Sequence, residues 1–269
     1  TELGVKSLSS RIFAQNPRAR IMHTTYSDEL VQKNSRNVRG VLTTEQFKQA
    51  FPATRMAPDS FAKKHWNTTE GGEFHAVSTS SAVTGFECGM DGDPFDGMLI
   101  IDDPEKASGM SSAPYRSQMK DVAGQTIGTR LNHDDTPVLV IQQRTHPDDV
   151  SNWLMSGGTG DHWDVLCFAA ISDTGRPPEH YREYSHANII DYQIHTGALW
   201  PERKPLEALY RIRDAQEDMD SDEPRGKRVF ASQYQQNPND VSVALFEEKW
   251  LEPFEAKDIP WSMDRITVR

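Results

Sequence analysis

The chain has 269 residues, enough for one large domain or one domain with a small appendage. A hydrophobic fraction of 36%, a mean hydropathy of -0.68 and a formal net charge of -11 describe a soluble, acidic chain, and they disfavour a protein that coats nucleic acid through a basic surface. No run approaches the ~20 apolar residues of a membrane span, no signal segment opens the chain, and Cys88 and Cys167 are too few for a disulfide framework or a zinc site alone, so the cytosol is the expected compartment.

Leu3, Val5, Leu8, Ile12 and Phe13 recur at helical spacing and predict a helix over 2–15, stopped by Asn16-Pro17. Arg20–Tyr26 reads as a strand, and Ser27-Asp28-Glu29 caps a helix running to about Val38. A short helix over 43–51 and a Pro-containing loop over Phe51–Asp59 follow. Trp66–Thr84 reads as strands with turns, with Gly71-Gly72 as a hairpin signal and Thr84-Gly85 as a further turn. Met98–Ile101 is an unbroken apolar run of the kind a buried parallel strand needs. A helix over 111–131, a strand over Thr136–Gln142, a helix over Asp148–Met155 and a strand over Trp163–Ala170 complete the series. Strands alternating with helices to about residue 172 predict an α/β fold with a central parallel sheet flanked by helices.

After Asp173 the texture changes to Pro, Arg and Glu, with an amphipathic helix over 205–220 and an aromatic-rich stretch over Phe246–Phe254. Residues 173–250 are expected to form a small lid or linker subdomain. Both ends read as cut: the chain opens on Thr1 straight into a helix and closes on an unfinished strand in Trp261–Arg269.

The strongest chemical signal is Leu99-Ile100-Ile101-Asp102-Asp103-Pro104. Carboxyl ends of strands in open α/β sheets are where ligands bind, and two carboxylates there can hold Mg²⁺ and orient or deprotonate a water. The plain alternative is a solvated turn, for which Asp-Asp-Pro is good chemistry. Thr1 at a helix start is either an ordinary cap or the last hydroxyl of a phosphate loop whose Gly-rich part and Lys lie upstream. Gln143 and Arg144 follow another buried strand and could reach a γ-phosphate; a surface ion pair of Arg144 with Asp148 or Asp149 is the simpler reading. Asp91, Asp93 and Asp96 crowd one loop without calcium-loop spacing, and the histidines show no metal-ligand spacing. Trp66, Trp153, Trp163, Trp200 and Trp250 are expected to be core or lid anchors.

Taken in order, Arg20–Ser27, Asn34–Arg39, Gly71-Gly72, Thr84-Gly85, Leu99–Pro104, Gln143–Asp149, Leu199–Arg203 and Gln233–Pro238 resemble the large subunit of tailed-bacteriophage terminases. The resemblance covers nearly the whole chain and lies in the order and spacing of these pieces. It implies a P-loop NTPase core of the ASCE type over 1–172, a lid or linker subdomain over 173–250, and the start of a truncated RNase H-like nuclease domain over 251–269. It further implies an ATPase that moves double-stranded DNA into a procapsid from the host cytoplasm, with ATP and Mg²⁺ as ligands. The implied partners are the portal protein, the small terminase subunit and further copies in a ring, expected to be pentameric. By the same resemblance Thr1 and Asp102 hold Mg²⁺, Asp103 is the catalytic carboxylate, and Gln143 and Arg144 couple hydrolysis to movement. Gly-x-x-x-x-Gly-Lys and the nuclease acids do not occur in this sequence, so poor ATP hydrolysis and no DNA cleavage are expected of this piece alone. Two rival readings remain: a metal-dependent nuclease built on Asp91, Asp93, Asp102 and Asp103, and a non-catalytic module that docks on DNA or the capsid.

Overall fold

The computed structural model describes residues 1–60, 62–79, 81, 85–90, 95–218 and 229–238. A π-helical stretch, Glu2–Ser7, runs straight into α1 (Leu8–Gln15). Then come β1 (Arg20–Thr25), α2 (Asp28–Leu42), α3 (Glu45–Ala50), β2 (His65–Asn67), β3 (Glu73–Ser78) and β4 (Gly97–Asp102). After them lie α4 (Ala113–Arg130), β5 (Val138–Ile141), α5 (Val150–Met155), β6 (Trp163–Val165), β7 (Ile171–Ser172), β8 (Ala187–Ile189), β9 (Gly197–Ala198) and α6 (Leu206–Asp218).

The central sheet has the order β2-β3-β1-β4-β5. β3, β1, β4 and β5 are parallel, and β2 closes one edge antiparallel to β3. The alternation of strand side chains divides the core in two. Ile21, Phe74, Met98 and Ile100 face α1, α2 and α3 on one side, while Met22, Val77, Leu99 and Ile101 face α4 and α5 on the other. Fully buried Trp66 stacks on Phe74 and donates its indole N–H to Ser35 of α2 at 3.0 Å, so the antiparallel edge is bolted to the helix layer.

Helix starts follow local chemistry. Ser27 caps α2 by accepting from the Leu30 N–H, and Asp149 caps α5 by accepting from the Asn152 N–H at 2.8 Å. α2 continues past the expected stop at Val38 to Leu42, because Val38 and Leu42 both bury on the core side. The strand expected over Trp163–Ala170 is shorter. Trp163–Val165 pairs with β8, Ile171–Ser172 pairs with β9, and Leu166 and Phe168 between them are largely exposed. Trp200, expected as an anchor, is 58% exposed, with the Arg203 guanidinium over its ring. Trp250, the stretch Phe246–Phe254, Thr84 and the proposed nuclease start at 251–269 lie outside the described residues.

β5 is the far edge of the sheet. Its four apolar residues are only half-buried, and on the side away from β4 no described strand pairs with it. A groove of about 320 Å³ runs along this edge, walled by β6 and by Leu154, Met155, Cys167 and Tyr181.

Candidate functional site

Because β1, β3, β4 and β5 are parallel, their carboxyl ends gather at one rim. Thr25, Ser78, Asp102 and Ile141 are the last residues of those strands. Thr1 arrives at the same rim from the amino end of the first helix. Its hydroxyl donates to Asp102 Oδ2 at 2.8 Å, joining residues 101 positions apart. Asp102 is 3% exposed, and its Oδ1 accepts no hydrogen bond from a described residue; the Thr1 amino group lies 3.7 Å from it.

Beneath this pair, on the same face of the sheet, His23 of β1 is completely buried, and its Nε2 faces the side-chain amide of Asn34 on α2 at 3.1 Å. In this contact Nε2 either accepts from the amide N–H or donates to the amide oxygen of Asn34, as the ring tautomer dictates. Burial pushes the His23 imidazole down to about 4, with the Asp102 charge pulling the other way. The floor of the site is therefore a neutral histidine at physiological pH.

Asp103 turns the chain at the rim with φ +46°, the left-handed region that a non-glycine residue enters at a cost. Its carbonyl accepts from the Tyr26 N–H at 3.1 Å, and its own N–H donates to Ile141 at 2.8 Å, which pins the turn between β1 and β5. Burial, and then the charge of Asp102 beside it, hold its carboxyl above the ordinary aspartate range, against the pull of the Gln143 backbone N–H. Such a carboxylate is a better proton acceptor than a free one.

Gln143 is exposed just past the end of β5. Arg144 turns away from the rim. Nε donates to both oxygens of Asp149, at 3.1 and 2.8 Å, and Nη1 to the hydroxyls of Tyr181 and Tyr184. Arg144 is 3% exposed and Asp149 0%, so the ion pair expected at the surface lies in the interior. Its neighbourhood reaches forward in the chain: the Arg144 N–H donates to the Gln236 side chain, and the Tyr181 hydroxyl donates to the Gln236 carbonyl. Gln235 brackets the backbone of Ile171 with its amide, accepting from the N–H and donating to the carbonyl.

Thr1, Asp102, Asp103 and the Gln143 backbone thus share one rim, while the Arg144 guanidinium belongs to a neighbouring buried cluster. Asp91 and Asp93 lie outside the described residues, and Asp96 is buried and accepts from the Met90 N–H. Among the described residues no group of three or more His, Cys, Asp or Glu side chains is arranged to hold a metal ion. The donors at the rim, one hydroxyl and one carboxylate with a free lone-pair edge, are the hard oxygens that Mg²⁺ takes when substrate and water complete its shell. His23, Asn34 and Glu105 were given no role by motif reasoning. Glu105 is 5% exposed, an unusual place for an acid, and only the turn at Pro104 carries it inward.

The fold and this rim define an α/β protein with a mixed, mostly parallel sheet and an acidic, hydroxyl-bearing strand end. No family profile matches the chain, and no curated protein matches it. Among solved structures, the large terminase of bacteriophage HK97 aligns at 14% identity and a TM-score of 0.34, over 51% of this chain and 25% of that one. The chain therefore spans about a quarter of that terminase.

Proposed function

We propose that this chain is the nucleotide-hydrolysing core of a terminase-type motor that moves double-stranded DNA into a viral procapsid. The observation that carries the reading is the 2.8 Å contact between Thr1 and Asp102 at the carboxyl rim of a parallel sheet. A phosphate loop ends in a hydroxyl residue, and an acid on a neighbouring strand faces it across the bound metal. The order and spacing of the terminase-like segments agree with this arrangement.

In this mechanism Thr1 and Asp102 would hold Mg²⁺, which would supply neutralisation of charge on the triphosphate of ATP. Asp103 orients the attacking water and accepts its proton, helped by the raised affinity for protons that burial and Asp102 give it. The Arg144 cluster ties the end of β5 to residues 229–238, a route by which a change at the rim would reach the lid subdomain proposed for 173–250. DNA contacts in such a motor go to phosphates without sequence readout. The portal, the small subunit and a ring of copies, five in the terminase pattern, are the partners this reading requires.

The test is Asp103→Asn in the full-length protein. Retained ATP binding is expected, with turnover reduced roughly 10²- to 10⁴-fold, the usual worth of a general base. Turnover near wild type would remove Asp103 from the mechanism. Absence of nucleotide binding in the wild type would favour a docking module, and DNA cleavage independent of ATP would favour a metal nuclease.

A further inference from the structure

The acidic turn does not end at Asp103. Past Pro104 the chain dives to the other face of the sheet, where Glu105 Oε1 accepts from the Val150 N–H at 3.2 Å, at the start of α5. Oε2 meets the side-chain amide of Gln142, the first residue after β5, and the far end of that amide accepts from the Ser151 hydroxyl at 2.7 Å. Residues 103 and 105 therefore both take hold of the neighbouring strand end: the Asp103 N–H donates to the Ile141 carbonyl at 2.8 Å, and Glu105 takes the side chain of Gln142.

We propose that Glu105 is a positioning residue: its carboxyl clamps the end of β5 to the start of α5 and so holds the Ile141 carbonyl on which the Asp103 N–H is anchored. The clamp deepens the nucleotide-hydrolase reading, and its consequence for turnover rests on that reading. Its structural content does not.

The hydrogen-bond chain is complete in either charge state of the acid. With Glu105 ionised, the Gln142 N–H donates to it and Ser151 donates to the Gln142 carbonyl oxygen. With Glu105 protonated, its O–H donates to a turned-over Gln142 amide, which then donates to Ser151 Oγ. Both states are accessible near neutrality. The groups facing Glu105 are Asp149 at the cap of α5 and Lys120 of α4, and burial followed by the Asp149 charge pushes its carboxyl up to about 7. In the folded chain it thus keeps a proton that the unfolded chain, at 4.5, has released. The stability this group contributes is complete below 4.5 and is lost as pH rises through about 7.

The experiment is amide hydrogen exchange on this chain with Glu105→Ala and Glu105→Gln. Glu105→Ala should speed exchange at Asp103 and Val150 about tenfold or more, the loss of a charge-assisted contact, while Leu99 and Ile100 keep their protection. Glu105→Gln, which can make the contacts of the protonated acid, should stay within about threefold of wild type and lose the fall in thermal midpoint between about pH 5 and 8. Unchanged protection at Asp103 and Val150 in Glu105→Ala overturns the clamp, and so does a Glu105→Gln variant that loses as much as alanine. If Glu105→Ala does not fold, Gln142→Ala is read the same way: faster exchange at Asp103 supports the clamp and wild-type protection overturns it. In the full-length protein Glu105→Ala should lower kcat with KM held. A wild type without ATP turnover defeats the hydrolase reading and leaves the exchange result to decide the clamp.

Discussion

Arg144 and Asp149 make a buried ion pair that is costly to break. Both are buried, the guanidinium is shared with two tyrosine hydroxyls, and Asp149 also caps α5. Removing one partner leaves an uncompensated charge in the interior, so Arg144→Ala should cost about 3–5 kcal/mol in urea unfolding. A loss under ~1 kcal/mol would mean that the pair behaves as an exposed one. Their five-residue separation spans a strand end, a turn and a helix cap, so no helical or strand period marks them as partners. Asp102 and Asp103 were legible because an apolar run followed by acids has few placements in an α/β sheet. Glu105 was not, since a glutamate after Asp-Pro looks like a solvated turn residue until the backbone path is known.

At the scale of elements, Gly97 opens β4 with φ +149°, and a Cβ there would run into the Arg20 carbonyl oxygen. That oxygen belongs to β1, which pairs with β4 from Arg20↔Gly97 to Thr24↔Ile101. Gly97→Ala should therefore push the two central strands apart at their entry and destabilise the chain by at least about 1–3 kcal/mol, measured as a lowered denaturation midpoint at unchanged slope. A neutral Gly97→Ala would show that the strand entry is free to shift. The strong elements were readable from periodicity: β1, β4, β5 and α4 lie close to where the apolar pattern puts them. The region after Trp163 was not, because two- and three-residue pairings leave no alternation to detect, and side chains such as Gln235 there complete what a longer strand would do with backbone.

Across the whole molecule, the sheet separates two apolar cores and gathers its chemistry at one rim, with Asp102 turned to the α1 face and Glu105 to the α5 face. The order of layers followed from strand–helix alternation. The antiparallel β2 and the half-covered β5 are tertiary facts, set by which strands lie beside which.

The side of β5 on which no described strand pairs has a consequence for how this polypeptide behaves at high concentration. Its row of main-chain donors and acceptors is a template for another chain, and two copies can satisfy it in antiparallel fashion about a shared dyad. Such stacking consumes the template, so growth stops at two. Light scattering on a dilution series should show the weight-average mass climbing from 30.4 kDa towards twice that value and levelling off, whereas a mass that holds at 30.4 kDa throughout would mean the template is masked in solution.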